Sequence, residues 1–341
     1  MRFGFGYGFD LQALKHFGEI AKAGDKSGFE LVCTGCTPAL KGDIFVGLSQ
    51  IASNTSNCRV GSFIINPVTR HPVLMASGFS TIDAISNGRA VVGLGAGDTG
   101  VYNLGLKPAS MKYMEMYIKT LRELWASGES QWAGEIIKTK QTGRRIPIFM
   151  APAGPKGLNL AGRVADGVFI ETGILPEVIT DSLRRLSEGA NEAGRSIDEI
   201  EIWWHVRPAL GESQEEALDQ IRTTVVSMAN RLARFSREGK NIPDDIWPRL
   251  QEMKSRYNFL DAHEDSEVAK SDQTNAQLLD ELGLRDYLGA RFAIVGTTQD
   301  WIERLRELHQ LGVRNIAFAM MMKDRLGFIG KFSREIQPYL P

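Results

Sequence analysis

Residues 151–157, APAGPKG, place glycine, proline and lysine directly after an apolar run. A glycine-rich turn that opens a helix presents free backbone N–H groups and the positive end of the helix dipole. Lys156 adds a cation. The pattern predicts a phosphate site formed by Ala153, Gly154, Lys156 and Gly157. An ordinary strand–helix turn, which also favours glycine and proline, is the alternative.

Two further segments are predicted to end strands beside this turn. The segment ETG ends in Thr172 and Gly173, which offer a hydroxyl donor and a backbone glycine. The run GLGAGD ends in Gly97 and Asp98, where the backbone must turn sharply or approach a ligand. Asp98 is a single carboxylate without an evident partner, so the sequence favours a role in fixing the loop over proton transfer.

His205, in the segment WWHVRP, is the candidate catalytic residue. Because successive strand side chains point to opposite faces, Trp203 and His205 share one face and Trp204 lies on the other. A histidine at such a strand end has a suitable ordinary pKa for a general acid or base. A hydrogen-bonded wall histidine is the alternative. We predict that His71, in TRHP, caps or orients a loop.

The sequence does not indicate a metal site. Cys33 and Cys36 form a C-x-x-C motif, but no second Cys or His pair has a matching spacing. We therefore expect buried or pocket-wall cysteines, and no metal. There is no G-x-S-x-G segment either. His16, His263 and His309 are predicted to be surface residues.

These residues need a scaffold that gathers strand ends. Residues 58–98 read as strand, loop, helix, strand and glycine-rich turn, which implies parallel strands with a crossover helix. Eight strands are predicted, at residues 3–8, 29–34, 58–65, 90–94, 146–151, 168–170, 199–207 and 314–320. The sequence thus predicts an α/β fold, a (β/α)8 TIM barrel with its site at the C-terminal strand ends. A doubly wound open sheet fits less well, because the first strand–helix turn lacks G-x-G-x-x-G.

One region interrupts the alternation of strands and helices. Residues at about 230–290 are polar and helix-rich, and we predict a helical insertion there, before the last βα segment of a single domain over 1–341. A helix is predicted over 213–233, and a short extra strand or extended segment over 291–295.

Apolar side chains also stand at the predicted strand ends. Tyr7 ends the first strand, Cys33 and Thr34 end the second, and Met320 ends the last. We expect these four residues to line a substrate pocket, since methionine and aromatic residues make a soft wall for a flat ring. The same residue types are common in cores.

The composition limits the possible partners. The chain has 40 basic and 41 acidic residues, a net charge of −1 and no long block of one sign. This argues against nucleic acid or an anionic membrane as the main partner. No apolar run reaches roughly 18 residues, and no signal-peptide pattern is present. Three cysteines indicate a reducing compartment, so we expect a cytoplasmic protein with a small-molecule substrate.

Four motifs together resemble the bacterial luciferase-like superfamily of flavin- and F420-dependent oxidoreductases. They are VGSFIINPVTRHP (60–72), ISNGRAVVGLGAGD (85–98), IPIFMAPAGPKGLNLAGRVADGVFIETG (146–173) and VGTTQDWIERLRELHQLGV (295–313). They look most like the branch that contains methylenetetrahydromethanopterin reductase. The resemblance implies a (β/α)8 barrel, usually a homodimer, that holds reduced FMN or coenzyme F420 at the strand C-termini.

The resemblance also implies site residues. A non-prolyl cis peptide bond falls at about Phe63-Ile64, behind the flavin ring, and the phosphate turn falls on 153–157. Thr172 and Gly173 correspond to a second cofactor-contacting strand end. Two departures stand out: this chain has CTGCTP where the deazaflavin reductases carry an acidic-plus-His pair, and Phe63 is bulkier than the residue common at the bulge. No catalytic assignment is therefore carried over from the relatives.

Three functional interpretations follow. The preferred one is a luciferase-like monooxygenase that uses O2 and reduced FMN from a separate flavin reductase, because the chain has no evident nicotinamide-binding fingerprint. The alternative is an F420-dependent reductase or dehydrogenase that transfers hydride to or from a carbonyl or imine. The third is a non-catalytic flavin-binding barrel.

Overall fold

A closed sheet of parallel strands forms the centre of the protein. The computed structural model describes residues 1–234, 236–258 and 275–341. Its strands are β1 (Arg2–Tyr7), β2 (Leu31–Thr34), β3 (Arg59–Ser62), β4 (Ala90–Leu94), β5 (Glu129–Trp132), β6 (Glu135–Lys138), β7 (Ile148–Met150), β8 (Gly167–Ile170), β9 (Glu201–Leu210), β10 (Ala293–Gly296) and β11 (Asn315–Ala319).

Eight of these strands close into a barrel in the order β1-β2-β3-β4-β7-β8-β9-β11. Closure is visible at β11, which pairs in parallel with β1 on one side and with β9 on the other. The predicted (β/α)8 barrel is confirmed, and the open sheet is excluded. β5 and β6 form a separate antiparallel hairpin where the sequence breaks the barrel pattern.

The barrel strands are buried on both faces, as expected for parallel strands covered by helices. β4, for example, is buried at every position. Side chains that point inward fill the barrel with one compact layer. That layer consists of Leu31, Cys33, Val91, Phe149, Phe169, Trp203 and Ala317.

The helices surround the barrel and cover its upper end. They are α1 (Leu14–Lys26), α2 (Ile44–Asn54), α3 (Pro72–Ile85), α4 (Thr99–Tyr102), α5 (Met111–Ser127), α6 (Pro155–Val164), α7 (Pro176–Glu192), α8 (Gln214–Asp219), α9 (Arg222–Leu232), α10 (Ile246–Arg256), α11 (Asn275–Glu281), α12 (Arg285–Phe292), α13 (Thr298–Gln310) and α14 (Arg325–Glu335). None of the helices in the described ranges is both long and apolar enough to cross a membrane.

Local sequence explains where several helices begin and end. At α3, Pro72 occupies the first turn and His71 Nδ1 accepts the Val73 N–H at 3.2 Å. The predicted capping role of His71 is therefore confirmed. At α5, Ser110 caps the start, and Gly128 ends the helix with φ +80°.

Two predicted elements differ from the structure. The single helix predicted over 213–233 is two helices, α8 and α9, because Ile221 leaves helical geometry at φ −122° and ψ 13°. Ile221 buries its side chain in the core of the inserted region, and β-branched residues cluster just after it, which weakens helix propensity there. The extra strand predicted over 291–295 is present as β10, but it begins at Ala293, because Arg291 and Phe292 still belong to α12. β10 pairs with the upper half of β9.

The predicted insertion at 230–290 falls partly on residues 259–274, which lie outside the described residues, as does His263. The described helices α9 to α12 share a hydrophobic cluster of their own, distinct from the barrel core. Arg291 connects this region to the barrel. It is 1% exposed, and its Nε donates to Thr172 O at 3.0 Å while Nη1 donates to Asn241 O at 2.8 Å.

Candidate active site

The inner face of β9 brings polar side chains to the barrel mouth. Trp203 belongs to the inner core layer, whereas Trp204 and Val206 belong to the outer core. Strand alternation therefore places His205 and Arg207 above Trp203 on the inner face. The predicted division between Trp203 and His205 on one face and Trp204 on the other is confirmed.

His205 is buried with a contact at each ring nitrogen. Nδ1 lies 2.9 Å from Glu171 Oε1, and Nε2 lies 2.8 Å from Arg207 Nη1. Because a guanidinium only donates, Nε2 must accept, so the ring proton lies on Nδ1 towards Glu171. Burial and the neighbouring Arg207 lower the pKa of His205 to about 4, so the ring is neutral at pH 7. The geometry favours a hydrogen-bonded wall histidine over a general acid or base.

Glu171 is the centre of the surrounding ion pairs. Its Oε2 accepts from Arg231 Nη1 at 2.5 Å, and Arg231 comes from α9. Burial alone would raise the pKa of Glu171, but Arg231 and His205 outweigh burial and lower it to about 2. Glu171 is therefore ionised at neutral pH.

Asp98 is not the isolated carboxylate that the sequence suggested. Its Oδ2 lies 2.9 Å from Arg231 Nε, and its Oδ1 accepts from Arg234 Nη1 at 2.5 Å. Both arginines lie more than 130 residues away in the chain, at α9 and just after it, so no local motif announces them. We call the connected set the charge cluster. It consists of Asp98, Glu171, His205, Arg207, Arg231 and Arg234.

A separate pocket lies at the start of α6. It is a small, partly open depression, and Ala153, Gly154, Thr172 and Lys240 contribute to its lining. Gly154 precedes α6 without a side-chain cap, so the first N–H groups of the helix lack side-chain partners there. A Cβ at Gly154 would meet no described protein atom within 4 Å. We call these four residues the phosphate pocket, since free N–H groups and a lysine surround open space.

Arg291 and the Asp181 carboxylate also line this pocket, together with a second cation, Lys240. Its Nζ donates to Leu232 O at 2.8 Å and to Arg234 O. Burial and the nearby Arg291 lower the pKa of Lys240 to about 8, so the ammonium stays charged at pH 7.

The structure separates the other predicted phosphate residues from this pocket. Lys156 is exposed and does not line it. Gly157 is buried, with Pro152 Cβ 3.0 Å from the position of a Cβ. At Gly173, φ is +117° and a Cβ would lie 2.6 Å from Arg291 Cγ, so close packing on Arg291 accounts for this glycine.

The bulge at the end of β3 has the predicted cis peptide bond, between Phe63 and Ile64. The Phe63 ring meets the His205 ring edge-to-face at 4.7 Å and the Phe169 ring at 4.9 Å. Across the mouth, Gly97 turns the chain with φ +109°, where a Cβ would lie 2.4 Å from Val101. Phe63 and Ile64, packed on the inner core layer, thus form an apolar wall beside the charge cluster.

The four residues predicted to line a substrate pocket are core residues in the structure. The Tyr7 hydroxyl donates to Phe17 O at 2.8 Å, and its ring stacks on Phe17. Cys33 lies inside the inner layer, Thr34 Oγ1 donates to Tyr7 O, and Met320 is fully buried in the outer core. Their role in lining a substrate pocket stays a prediction, since strand-end position alone does not distinguish the mouth from the layer beneath it.

The three cysteines are not paired with one another. Cys33, Cys36 and Cys58 are free and buried, and burial raises the pKa of each thiol. Within the described ranges, no three His, Cys, Asp or Glu side chains are grouped to hold a metal ion.

Sequence reasoning missed Glu171, Arg207, Arg231 and Lys240 as site residues. Two of them had a signal: Arg207 stands two positions after His205 on the same strand face, and Glu171 ends its own strand. Arg231 and Lys240 lie in a helix and a loop of polar sequence, where no pattern marks them.

Comparison with known proteins places this arrangement in a family. A family model described as luciferase-like monooxygenase matches residues 1–315. The chain belongs to the luciferase-like family. It is thus an oxidoreductase of that family, and the resemblance seen in the sequence is confirmed.

Relatives within the luciferase-like family refine this placement. The 5,10-methylenetetrahydromethanopterin reductase of Methanopyrus kandleri is 27% identical over 79% of this chain and 78% of its own. The F420-dependent glucose-6-phosphate dehydrogenase of Nakamurella multipartita is 24% identical over 86% of this chain and 80% of its own. The solved coenzyme F420-dependent tetrahydromethanopterin reductase of M. kandleri has the same fold, with a TM-score of 0.75, 23% identity and coverage of 100% and 99%.

These relatives contradict the preferred interpretation of the sequence, a monooxygenase supplied with reduced FMN. They are named as reductases or dehydrogenases, and two of the three names specify F420. The interpretation failed because the same fold occurs both in F420-dependent enzymes and in monooxygenases, so recognising the barrel does not identify the cofactor. The stated alternative, F420-dependent hydride transfer, is better supported.

Proposed function

We propose that this protein is an F420-dependent reductase or dehydrogenase that acts on a carbonyl or imine carbon of a small organic substrate. The observation that carries the proposal is the similarity of the chain to F420-dependent glucose-6-phosphate dehydrogenases, which align over 86% of it. When bound, F420 supplies or accepts a hydride.

The residues at the mouth fit such a cofactor. The phosphate pocket offers open space at Gly154, N–H groups at the start of α6 and the Lys240 ammonium, which suit a phosphate. The wall formed by Phe63 and Ile64 offers an apolar surface for a flat ring. Together they account for the two ends of a cofactor with a ring and a phosphate-bearing tail.

The protein's own side chains would bind and orient the substrate, and they would exclude water from the mouth. Phe63 and Phe169 close the inner side of the mouth, so a hydride acceptor there is shielded from solvent. Glu171 stays ionised and His205 stays neutral across the ordinary working range of pH, because their pKa values are lowered to about 2 and about 4. The charge cluster therefore keeps a fixed charge pattern beside the reacting carbon.

Turnover with F420 tests the proposal. The purified protein should oxidise reduced F420 in the presence of at least one member of a panel of ketones, aldehydes and cyclic imines, without oxygen. The reverse reaction should reduce F420 with the matching alcohol or amine. Tight F420 binding with no turnover across the panel in either direction would favour the non-catalytic barrel. Turnover only with reduced FMN and O2 would reject the proposal.

A further inference from the structure

Arg207 differs from the other arginines of the charge cluster. Arg231 contacts two carboxylates and Arg234 contacts one. Arg207 has no carboxylate contact among the described residues, although it is only 8% exposed. The nearby Glu171 carboxylate acts on Arg207 electrostatically but does not contact it. A buried guanidinium whose donors lack a partner in direct contact is costly unless a ligand provides one.

The partners of Arg207 leave one edge of its guanidinium available. Nη1 is engaged with His205 Nε2 at 2.8 Å. Nη2 contacts only Met228 Sδ, at 3.2 Å, and a thioether is a weak acceptor. Nε is buried and has no hydrogen-bond partner in the part of the chain that the structure describes. Nε–H and Nη2–H form the side-on fork that matches the two oxygens of a carboxylate or phosphate.

Arg207 lies at the mouth end of the barrel. The last β9 residue that pairs with β8 is Trp204, so Arg207 lies beyond the closed part of the barrel. His205, which holds Nη1, also contacts Phe63 of the apolar wall. Met228, which covers the fork, has a flexible side chain that can give way to a ligand.

Glu171 and His205 act on this arginine as positioning residues. Glu171 lies 2.9 Å from His205 Nδ1, which leaves Nε2 as the acceptor for Arg207. A protonated His205 would repel Arg207 and lose that acceptor. The chain of contacts therefore fixes the orientation of the fork.

We infer that Arg207 binds an oxyanion group of the substrate, a carboxylate or a phosphate, through its Nε–H and Nη2–H. The inference rests on the proposed function only for the placement of the substrate at this mouth. The substrate class is then a carbonyl or imine compound that carries a negatively charged group at a fixed distance from the reacting carbon.

The test compares charged probes with neutral probes of the same shape. Benzoate and acetate are titrated against benzamide and acetamide by calorimetry, and inorganic phosphate is titrated separately, with the protein saturated with F420. We expect at least one anion to bind about tenfold or more tightly than its neutral counterpart or, for phosphate, measurably at millimolar concentration. The carboxylates and phosphate distinguish the two oxyanion types.

Two substitutions test whether Arg207 causes the preference for anionic over neutral probes. Arg207→Met should abolish it, and Arg207→Lys, which keeps the charge without the fork, should reduce it. Arg145→Met is the matched control, because Arg145 is 92% exposed and precedes β7 at the opposite end of the barrel. It should retain the full preference.

Several results would overturn the inference. The first is that the wild-type protein binds benzoate and benzamide equally and binds neither acetate nor phosphate. This result would overturn the inference without any variant. Arg207→Met could retain the preference, or could lose F420 affinity to the same extent, which would assign Arg207 to the cofactor. If F420 fails to bind while the Arg207-dependent preference persists without it, the proposed function fails and the anion site stands.

Discussion

The phosphate pocket and the charge cluster lie at the same barrel mouth but are built in opposite ways. The pocket is open and depends on backbone N–H groups before α6, with one half-buried lysine. The cluster is closed, and its ion pairs join β8, the loop after β4 and the region of α9. The first is organised to receive a ligand with little rearrangement, and the second to hold charges in place.

The inserted region completes both sites. Lys240 reaches the pocket, and Arg231 reaches the cluster. Arg291 fixes the segment beside Lys240 to the barrel by donating to Lys240 O and to Thr172 O. The barrel therefore supplies glycines, carboxylates and a histidine, while the insertion supplies most of the positive charge.

We expect the largest effect on stability from a substitution in the charge cluster, which is the closed site. Glu171→Ala should reduce the free energy of unfolding by about 3–5 kcal/mol, because it leaves Arg231 and His205 without their buried partner. Urea unfolding measures this. The double variant Glu171→Ala/Arg231→Met should recover part of the loss, and a loss below about 1 kcal/mol for Glu171→Ala would show that the cluster does not hold the mouth together.

The pH dependence of stability should also come from the cluster. The folded pKa of His205, about 4, lies below its ordinary value of 6.5, so between these values the unfolded chain binds a proton that the folded protein excludes. Stability should fall by about 2 kcal/mol from pH 7 to pH 5 on this account. His205→Gln should flatten that slope, whereas His16→Gln, at an exposed histidine, should not. Equal slopes in all three proteins would contradict the neutral buried ring.

Substitutions in the phosphate pocket should change the affinity for F420 and leave the stability of the protein unchanged. Lys240→Ala should weaken F420 binding by about tenfold, and Lys156→Ala should have a smaller effect, because Lys240 lines the pocket and Lys156 is exposed outside it. Wild-type affinity should fall as the pH rises through about 8, where the Lys240 ammonium loses its proton because its pKa is lowered to that value. Fluorescence titration checks both. A larger loss of F420 affinity in Lys156→Ala than in Lys240→Ala would instead support the sequence prediction that Lys156 is the cation of the phosphate site.

The smallest effect is expected at Gly154. Because a Cβ there meets no described atom within 4 Å and φ is −178°, Gly154→Ala should leave the melting temperature nearly unchanged. It should weaken F420 binding a few-fold by filling ligand space. Gly173→Ala is the contrasting variant and should lower the melting temperature, since φ is +117° and Arg291 occupies the space. Equal melting temperatures for the two variants would refute this distinction.

The sequence predicted features that depend on neighbours in the chain. The barrel strands, the His71 cap, the Phe63-Ile64 cis bond and the turn at Gly154 all follow from local pattern or family motif.

The sequence did not predict contacts between segments that are distant in the chain. Asp98 seemed to have no partner because its arginines come from the inserted region, and Lys240 took the place expected for Lys156. Strand-end position also could not tell the mouth from the core, as at Tyr7 and Met320. The homodimer, the single domain with an insertion and the cytoplasmic location remain predictions.

The most direct test of the central claim is a competitive titration of the apoprotein with F420 and FMN, each oxidised and reduced, followed by fluorescence. The account predicts a clear preference for F420, and about a tenfold weakening of that binding on Lys240→Ala, while Lys156→Ala has a smaller effect. Preference for reduced FMN, or binding of neither compound, would contradict the assignment of this mouth to F420.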